Sequence, residues 1–494
     1  MITGDSDMNP HPLFHSRRDW LKTSACGFGY MALAGLTTEA AARDGVLNPL
    51  AAREPHFPAR AKRVIFMYMR GAPSHVDTFD YKPNLKSDAG KSVGQLSGQV
   101  QDRNRGRKLL PSPFAFSQHG KSGLWISELF PHLAQHADDL CLLNGMHTNV
   151  PNHPQSCLML HTGEFRFTRP SLGAWALYGL GTVNQNLPGF VTLNPPGDLG
   201  GAQNYGNAFL AASHQATRIG EEGGAMAAAR IGNLQSPLTA SRQREQLDLI
   251  QSMNAGLLRR QEVNPELEGV INSFELGFRM QAALPEVLDL AKESPATLQR
   301  YGIGKVGNNN AGNKDKAAAK KTAAGGATEN FGRQCLMARR LVEAGVRYVE
   351  ICMGNWDTHS GLKGRLGTLC NSIDQPMGAL LVDLKQRGLL KDTLVVWGGE
   401  FGRTPTGQGE DGRDHNSAGF SMWMAGGGVK GGQRVGATDD HGSIAVENKM
   451  HHHDLHATML HLLGLNHQKL TYRYGGRDYS LTDIHGRVVK EIFA

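Results

Sequence analysis

Cysteine is scarce in this chain of 494 residues: there are six, and Cys26 falls in the N-terminal segment. The other five (Cys141, Cys157, Cys335, Cys352 and Cys370) are odd in number and show no CxxC spacing, which argues against a disulfide framework. Long hydrophobic runs are also lacking. The uncharged stretch from Thr23 to Leu36 falls short of the ~20 residues of a membrane span, and no other candidate is evident. Nor does one sign of charge dominate: 52 Lys and Arg against 45 Asp and Glu leave +7. The positive residues are scattered, and the densest patch, Arg103 to Lys108, reads as a solvated loop with no nucleic-acid motif beside it. No nucleic-acid partner is expected, and the basic balance argues only weakly for anionic substrates. There is no collagen repeat either, and 40% hydrophobic residues suffice for a packed core.

What is present begins with SRRDWLK, Ser16 to Lys22, followed by the mildly apolar stretch and then Ala40-Ala41-Ala42. Paired arginines, a short uncharged region and small residues read as a twin-arginine export signal over 1–42. The twin-arginine machinery is then a partner, and the destination is periplasmic or extracellular. Removing 1–42, with three basic and four acidic residues, would leave +8. This route carries folded protein, which suits a chain that acquires a metal before export.

Residues 43–62 read as a linker and 63–494 as one domain interrupted by an insertion at about 195–325. RVIFMYM, Arg63 to Met69, is a short apolar run of buried-strand type. Ser127 to about Ala137 is expected to be a helix with Ser127 as its cap, followed by a strand at Leu140 to Leu143. In the insertion, Ser241 to Arg260 and Glu266 to Leu290 have helical spacing, with a kink or split expected at Pro285. Gly307 to Asn330 is of low complexity and expected to be a loop. Helices then alternate with strands: Phe331–Ala344 helical, Val346–Cys352 strand, Asp374–Arg387 helical, Thr393–Trp397 strand. The apolar run Phe420–Ala425 and the helix Asp454–Leu463 follow. This order predicts an α/β fold, a mainly parallel sheet sandwiched by helices, with ligands beyond the carboxyl ends of the strands.

Polar residues collect at those ends. The first strand runs into RGAPSHVDTFD, with Asp77; the strand before MGNWDTHSG offers Asp357 and His359; TLVVW runs into GGEFGRTP, with Glu400 and Arg403; GRDHN adds Asp414 and His415. Mixed oxygen and nitrogen ligands suit Zn, Mn or Mg, and two such sets suit a bimetal centre. Each piece has an ordinary alternative: a turn cap for Asp357, a partner for Arg403 in Glu400, a surface loop for Asp414-His415. Their shared position is what favours a metal. PNHPQSCLMLHTG places His153 and Ser156 at a helix start, a position for a nucleophile or an anion contact, or a plain helix start capped by Asn152. The run HHHDLHATMLHLLG reads as a capped, packed helix.

Taken together, SRRDWLK, VIFMYMRGAPSHVDTFDYKP, SPFAFSQHGKSGLWISELFP, NWDTHSG, GGEFGRTP, GRDHNSAGFSMWMAGGGVKGG and DLHATMLHLLG resemble the exported bacterial family catalogued as domain of unknown function 1501, from about residue 60 to the C-terminus. That family is placed in the alkaline phosphatase and sulfatase superfamily. The resemblance implies one or two divalent ions (Zn, Mn, Mg or Ca) at strand ends. It implies Asp357, His359 and His415 at a first site, and Glu400 at a second where Phe401 replaces a ligand. Asp77 is the first-strand carboxylate, and Asp414 adjoins His415. The position of the superfamily nucleophile falls on His153, and the CxPSR sequence of formylglycine sulfatases does not occur. The implied activity is metal-dependent hydrolysis of phosphate or sulfate esters, with an anionic ester such as a sulfated or phosphorylated saccharide as substrate. His153, Ser156 and Arg403 are then the catalytic candidates. The alternative is a noncatalytic surface or polysaccharide-binding protein that retains the fold.

Overall fold

A computed structural model describes residues 50–92, 106–229, 231, 236–258, 265–304 and 316–494. The twin-arginine segment and the first part of 43–62 lie outside the described residues. From Leu50 onward the supposed linker is laid onto the domain: Arg53 N donates to Leu180 O, and Arg60 and Ala61 N both donate to Leu462 O.

Strand β1 (Arg63–Met69) is buried from Val64 onward, as a strand covered on both faces must be. It runs through the middle of a nine-stranded sheet. The other strands, in chain order, are β2 (Leu140–His147), β3 (Phe190–Leu193), β4 (Thr217–Ile219), β5 (Tyr348–Met353) and β6 (Thr393–Gly398). A hairpin of β7 (Gly402–Gln408) and β8 (Gly412–Asn416) stands off the sheet. Three further sheet strands follow: β9 (Phe420–Ala425), β10 (Gln433–Val435) and β11 (Met450–His451). The order is β10-β2-β9-β6-β1-β5-β3-β4, with β11 beside β2. Every pairing is parallel except those of β9 with β6 and β2.

The longer helices are α1 (His153–Thr162), α2 (Leu172–Leu180), α3 (Ala240–Leu258), α4 (Pro265–Leu288), α5 (Lys316–Glu343), α6 (Leu362–Gln386) and α7 (His452–Leu462). One continuous apolar core joins the sheet to side chains of α1, α2, α5, α6 and α7, for example Val64, Leu160, Trp175, Leu341, Leu380 and Leu460. The fold is therefore the expected α/β arrangement of a mainly parallel sheet with helices. All five cysteines from Cys141 on are buried and free. Among the described residues no helix is long and apolar enough to cross a membrane.

Three local expectations are overturned. Ser127 does not cap a helix but ends a strand, Leu124–Ser127, and the following segment is a 3-10 helix, Leu133–Asp139. Pro131 holds off an earlier helical start, and the Asp374 carboxylate takes the free amides of His132 (2.9 Å) and Leu133 (2.8 Å). Pro285 does not split α4: it lies in the last turn, and the helix ends soon after it, at Leu288. The low-complexity stretch is helical from Lys316 on, since its alanines and lysines are strong helix formers once α5 is nucleated by its packed C-terminal half.

Candidate metal centre

Strands β1, β5 and β6 end side by side, with Met69 opposite Met353 and Tyr68 opposite both Cys352 and Gly398. The loops leaving them are packed backbone to backbone. Gly71 adopts φ 107°, and a Cβ there would fall 2.7 Å from Asp357 N, so a residue with a side chain would push the loops apart. Its amide donates to Glu400 Oε1 at 3.0 Å.

The β7–β8 hairpin then folds back over this edge. His415 lies directly opposite Arg403 in its ladder, beyond a register shift after Arg413 that re-aims the strand. The loop after β5 brings Asp357 and His359, and the N-terminus of α1 brings His153, with Asn152 capping through Gln155 N. These four residues meet. Asp357 Oδ1 lies 2.9 Å from His359 Nε2, 3.3 Å from His415 Nε2 and 3.3 Å from His153 Nε2. The two Nε2 atoms of His359 and His415 are 3.0 Å apart.

The far side of each ring explains which nitrogen faces inward. His415 Nδ1 is 2.7 Å from the carbonyl of Pro151, which can only accept, so Nδ1 carries the proton. His153 Nδ1 meets the Glu400 carboxylate at 2.5 Å, and His359 Nδ1 meets Gln408 Oε1. Three acceptors thus hold three imidazoles with their Nε2 lone pairs turned toward one carboxylate oxygen. His153 Nε2 is buried, and its approach to Asp357 is off the line of a hydrogen bond, so it has no such partner. Converging lone pairs repel unless a proton or a cation lies among them. This donor set of three imidazoles and a carboxylate fits Zn, Mn or a similar divalent ion, with outer acceptors orienting the rings. Three such donor atoms, from His153, Asp357 and His415, lie within 4.8 Å of one another.

The same contacts set the ionisation. Burial alone would raise the Asp357 carboxyl. The close approach of the His153 and His415 rings, and the Arg403 guanidinium, instead hold it well below the usual carboxylate range. Burial would lower His153, but Asp357 and Glu400 override it and raise its pKa to about 9.

The other sequence candidates take different places. Glu400 is fully buried and acts on His153 and Gly71 N, not as an open ligand. Phe401, standing where the resemblance expected a ligand, stacks on His153 and also packs on His415, each at 4.8 Å between ring centroids. Asp414 pairs with Arg107 at 2.8 Å and also forms, with His359 and His415, a second triad whose donor atoms lie within 4.8 Å of one another. Asp77 is locked in a two-pronged pair with Arg413 at 2.6 and 3.0 Å, both side chains fully buried, and takes no part in the cluster. Ser156 is also fully buried, its hydroxyl donating to Glu400 O at 2.8 Å. Arg403 spends its donors on Ala72 O, Gly71 O and Asp357 Oδ1, so it positions the carboxylate and is not a free anion clamp.

The family model described as "Protein of unknown function (DUF1501)" matches residues 61–493, and the chain belongs to that family. No curated protein matches the sequence. Solved structures with similar chain paths include the lipoteichoic acid synthase LtaP from Listeria monocytogenes (8% identity, 88% of this chain and 79% of that chain, TM-score 0.37). Others are the PsFucS1 sulfatase from Pseudoalteromonas sp. (12%, 88% and 71%, TM-score 0.33) and the alkaline phosphatase from the Antarctic bacterium TAB5 (10%, 83% and 99%, TM-score 0.32). At these scores the likeness says nothing of ligands or activity.

Proposed function

We propose that this protein is an exported, metal-dependent hydrolase of phosphate or sulfate esters. The observation that carries the reading is the convergence of His153, His359 and His415 Nε2 on Asp357, with every Nδ1 anchored behind. These four residues would hold one divalent ion, which when bound polarises an ester oxygen and acidifies water. Asp414, beside His359 and His415, is the nearest further carboxylate for a second ion. The remaining residues prepare the site. Arg403 fixes Asp357 and offsets its charge, Glu400 fixes the His153 tautomer, and Phe401 walls the rings from solvent. With Ser156 buried and His153 among the donors, water is the attacking group, and no covalent serine ester forms. Export rests on SRRDWLK and Ala40–Ala42.

The test is elemental analysis of protein purified without added metal, beside the Asp357→Ala, His415→Ala double variant, followed by a screen of phosphate and sulfate esters. Close to one or two ions per chain, lost in the variant, together with ester turnover, is the expected result. Metal without turnover would favour the noncatalytic, polysaccharide-binding reading, which the lack of a free hydroxyl on Ser156 supports. Absence of metal in both proteins would overturn the site.

A further inference from the structure

A cavity of about 310 Å³ opens at the C-terminal end of α1, the end away from the metal centre. It shares no residue with the metal centre, and α1 separates the two by roughly 14 Å at 1.5 Å per residue. We propose that this cavity binds an anionic saccharide, a pyranose ring carrying a sulfate or carboxylate group.

Its walls come from distant parts of the chain and are fixed to one another. The C-cap Gly163 takes φ 70°, and a Cβ there would lie 2.2 Å from Leu481 O, so the loop around Leu481 sits hard against the helix end. His453, from the first turn of α7, is 2.8 Å through Nε2 from Gly163 O, which fixes that nitrogen as the donor, and its ring stacks on His485 at 4.9 Å. The cavity is therefore preformed, and its volume is at the small end of the ~300–1,000 Å³ range of ligand sites, suited to a single ring.

The lining supplies two kinds of recognition at once. Three guanidinium groups (Arg166, Arg169 and Arg477) face two carboxylates (Glu164 and Asp483). Arg477 is paired with Asp483, and Arg166 is 3.7 Å from Glu164. Arg169 has no carboxylate partner among the described residues. Its guanidinium lies 4.5 Å from the Tyr479 ring centroid and 5.5 Å from that of Phe167, with one bond to Thr168 O. An arginine stacked in this way is already ordered, and its remaining donors suit a two-pronged grip on an oxyanion. Phe167 is 60% exposed beside it, an apolar face held in water. A bare oxyanion would leave that face unused, and a neutral sugar would leave the guanidinium unused. A sugar ring with an anionic group engages both.

The experiment is calorimetric titration of the full chain with glucose 6-sulfate, glucuronate, glucose and inorganic sulfate. The two anionic sugars are expected to bind at least tenfold more tightly than glucose or inorganic sulfate. Arg169→Ala should weaken both at least tenfold, and Phe167→Ala should bring glucose 6-sulfate toward the affinity of inorganic sulfate. Arg169→Lys, which keeps the charge and loses the fork, should fall between. Arg242→Ala, an exposed residue on α3, should change nothing, and in Asp357→Asn, where the metal centre is disabled, the Arg169-dependent binding should persist. Binding unchanged by Arg169→Ala, inorganic sulfate bound as tightly as the sugar sulfate, or no binding of any probe would overturn the proposal. Binding abolished by Asp357→Asn would overturn it too, by placing the sugar at the metal centre.

Discussion

Arg403 and His415 face each other across the β7–β8 hairpin, and both reach the same oxygen of Asp357, at 2.6 and 3.3 Å. A permanent cation and an imidazole thus share one carboxylate oxygen. The arginine holds Asp357 ionised before any metal arrives, so the carboxylate need not lose a proton on binding. It also lowers the negative charge available to the ion, so affinity must come largely from the three imidazoles.

Asp357→Asn should therefore abolish metal retention while the fold survives. Arg403, fully buried, loses its counter-charge, and a loss of ~1–3 kcal/mol is expected for leaving a buried polar group poorly satisfied. Denaturant midpoints and metal content on the same preparation would check both halves. Full metal occupancy in Asp357→Asn would contradict the assignment.

Glu400→Gln keeps a carbonyl oxygen for Gly71 N and His153 Nδ1 but removes the charge. Weakening of metal affinity by roughly 10–100-fold is expected, as for other outer partners of ligating histidines. Competition with a chromogenic chelator measures it, and an unchanged affinity would mean that Glu400 merely fills space.

Asp77 gives the opposite pattern. Asp77→Asn leaves Arg413 charged and buried, and a loss of ~3–5 kcal/mol is expected for breaking such a pair. The folded fraction should nevertheless retain its metal, since Asp77 takes no part in the cluster. Loss of metal from folded Asp77→Asn protein, judged by near-ultraviolet circular dichroism, would restore it as a ligand.

Metal uptake should release protons and weaken as the pH falls. His153 carries a raised pKa of about 9 in the metal-free protein, so below that pH a proton must leave before Nε2 can act as a donor. Apparent affinity should rise with pH up to about 9 and then level, and calorimetry in buffers of different ionisation enthalpy would count the protons. A flat profile between pH 6 and 9 would exclude His153 from the ligand set.

Acid should destabilise the protein through α7 and its N-cap, His451. Burial pushes the pKa of His451 and His456 down to about 3, so the folded state keeps them neutral. Unfolded histidine binds a proton near pH 6.5, so stability falls as the pH drops from about 6.5 toward 3 and is unaffected above. His456→Gln retains a donor for Leu160 O and should flatten this dependence between pH 7 and 5 in urea titrations. A slope equal to that of the unaltered protein would reject the explanation.

Much of this was legible in the residue order. RVIFMYM and FSMWMA became strands with the expected bounds, because an unbroken apolar run between turn residues has few other ways to be buried. Asp357 and His359 could be picked out because they follow a strand whose carboxyl end shares an edge with its neighbours. His415 could be picked out because it sits in the polar GRDHN segment soon after the next such strand, although it lies within the hairpin that folds over that edge. Gln408, the Pro151 carbonyl and the role of Phe401 could not be. Their contribution is a hydrogen bond or a ring contact from another element, and local spacing carries no trace of it. The helix from Lys316 is hidden in the sequence for a similar reason: low complexity points to a loop, whereas helix propensity and continuity with a packed segment decide the outcome.

By itself, then, the sequence determined the class of fold, through hydrophobic patterning, and the chemical types gathered at the strand ends. Which of those groups act together was decided by the tertiary structure. Asp77, Glu400 and Asp357 are all carboxylates after strands and look alike in sequence. Their fates differ because Arg413 lies against the first, His153 and Gly71 against the second, and three imidazole nitrogens against the third. The role of a carboxylate depends on what lies within about 3 Å of its oxygens, and at that range its neighbours here come from segments up to 336 residues away along the chain.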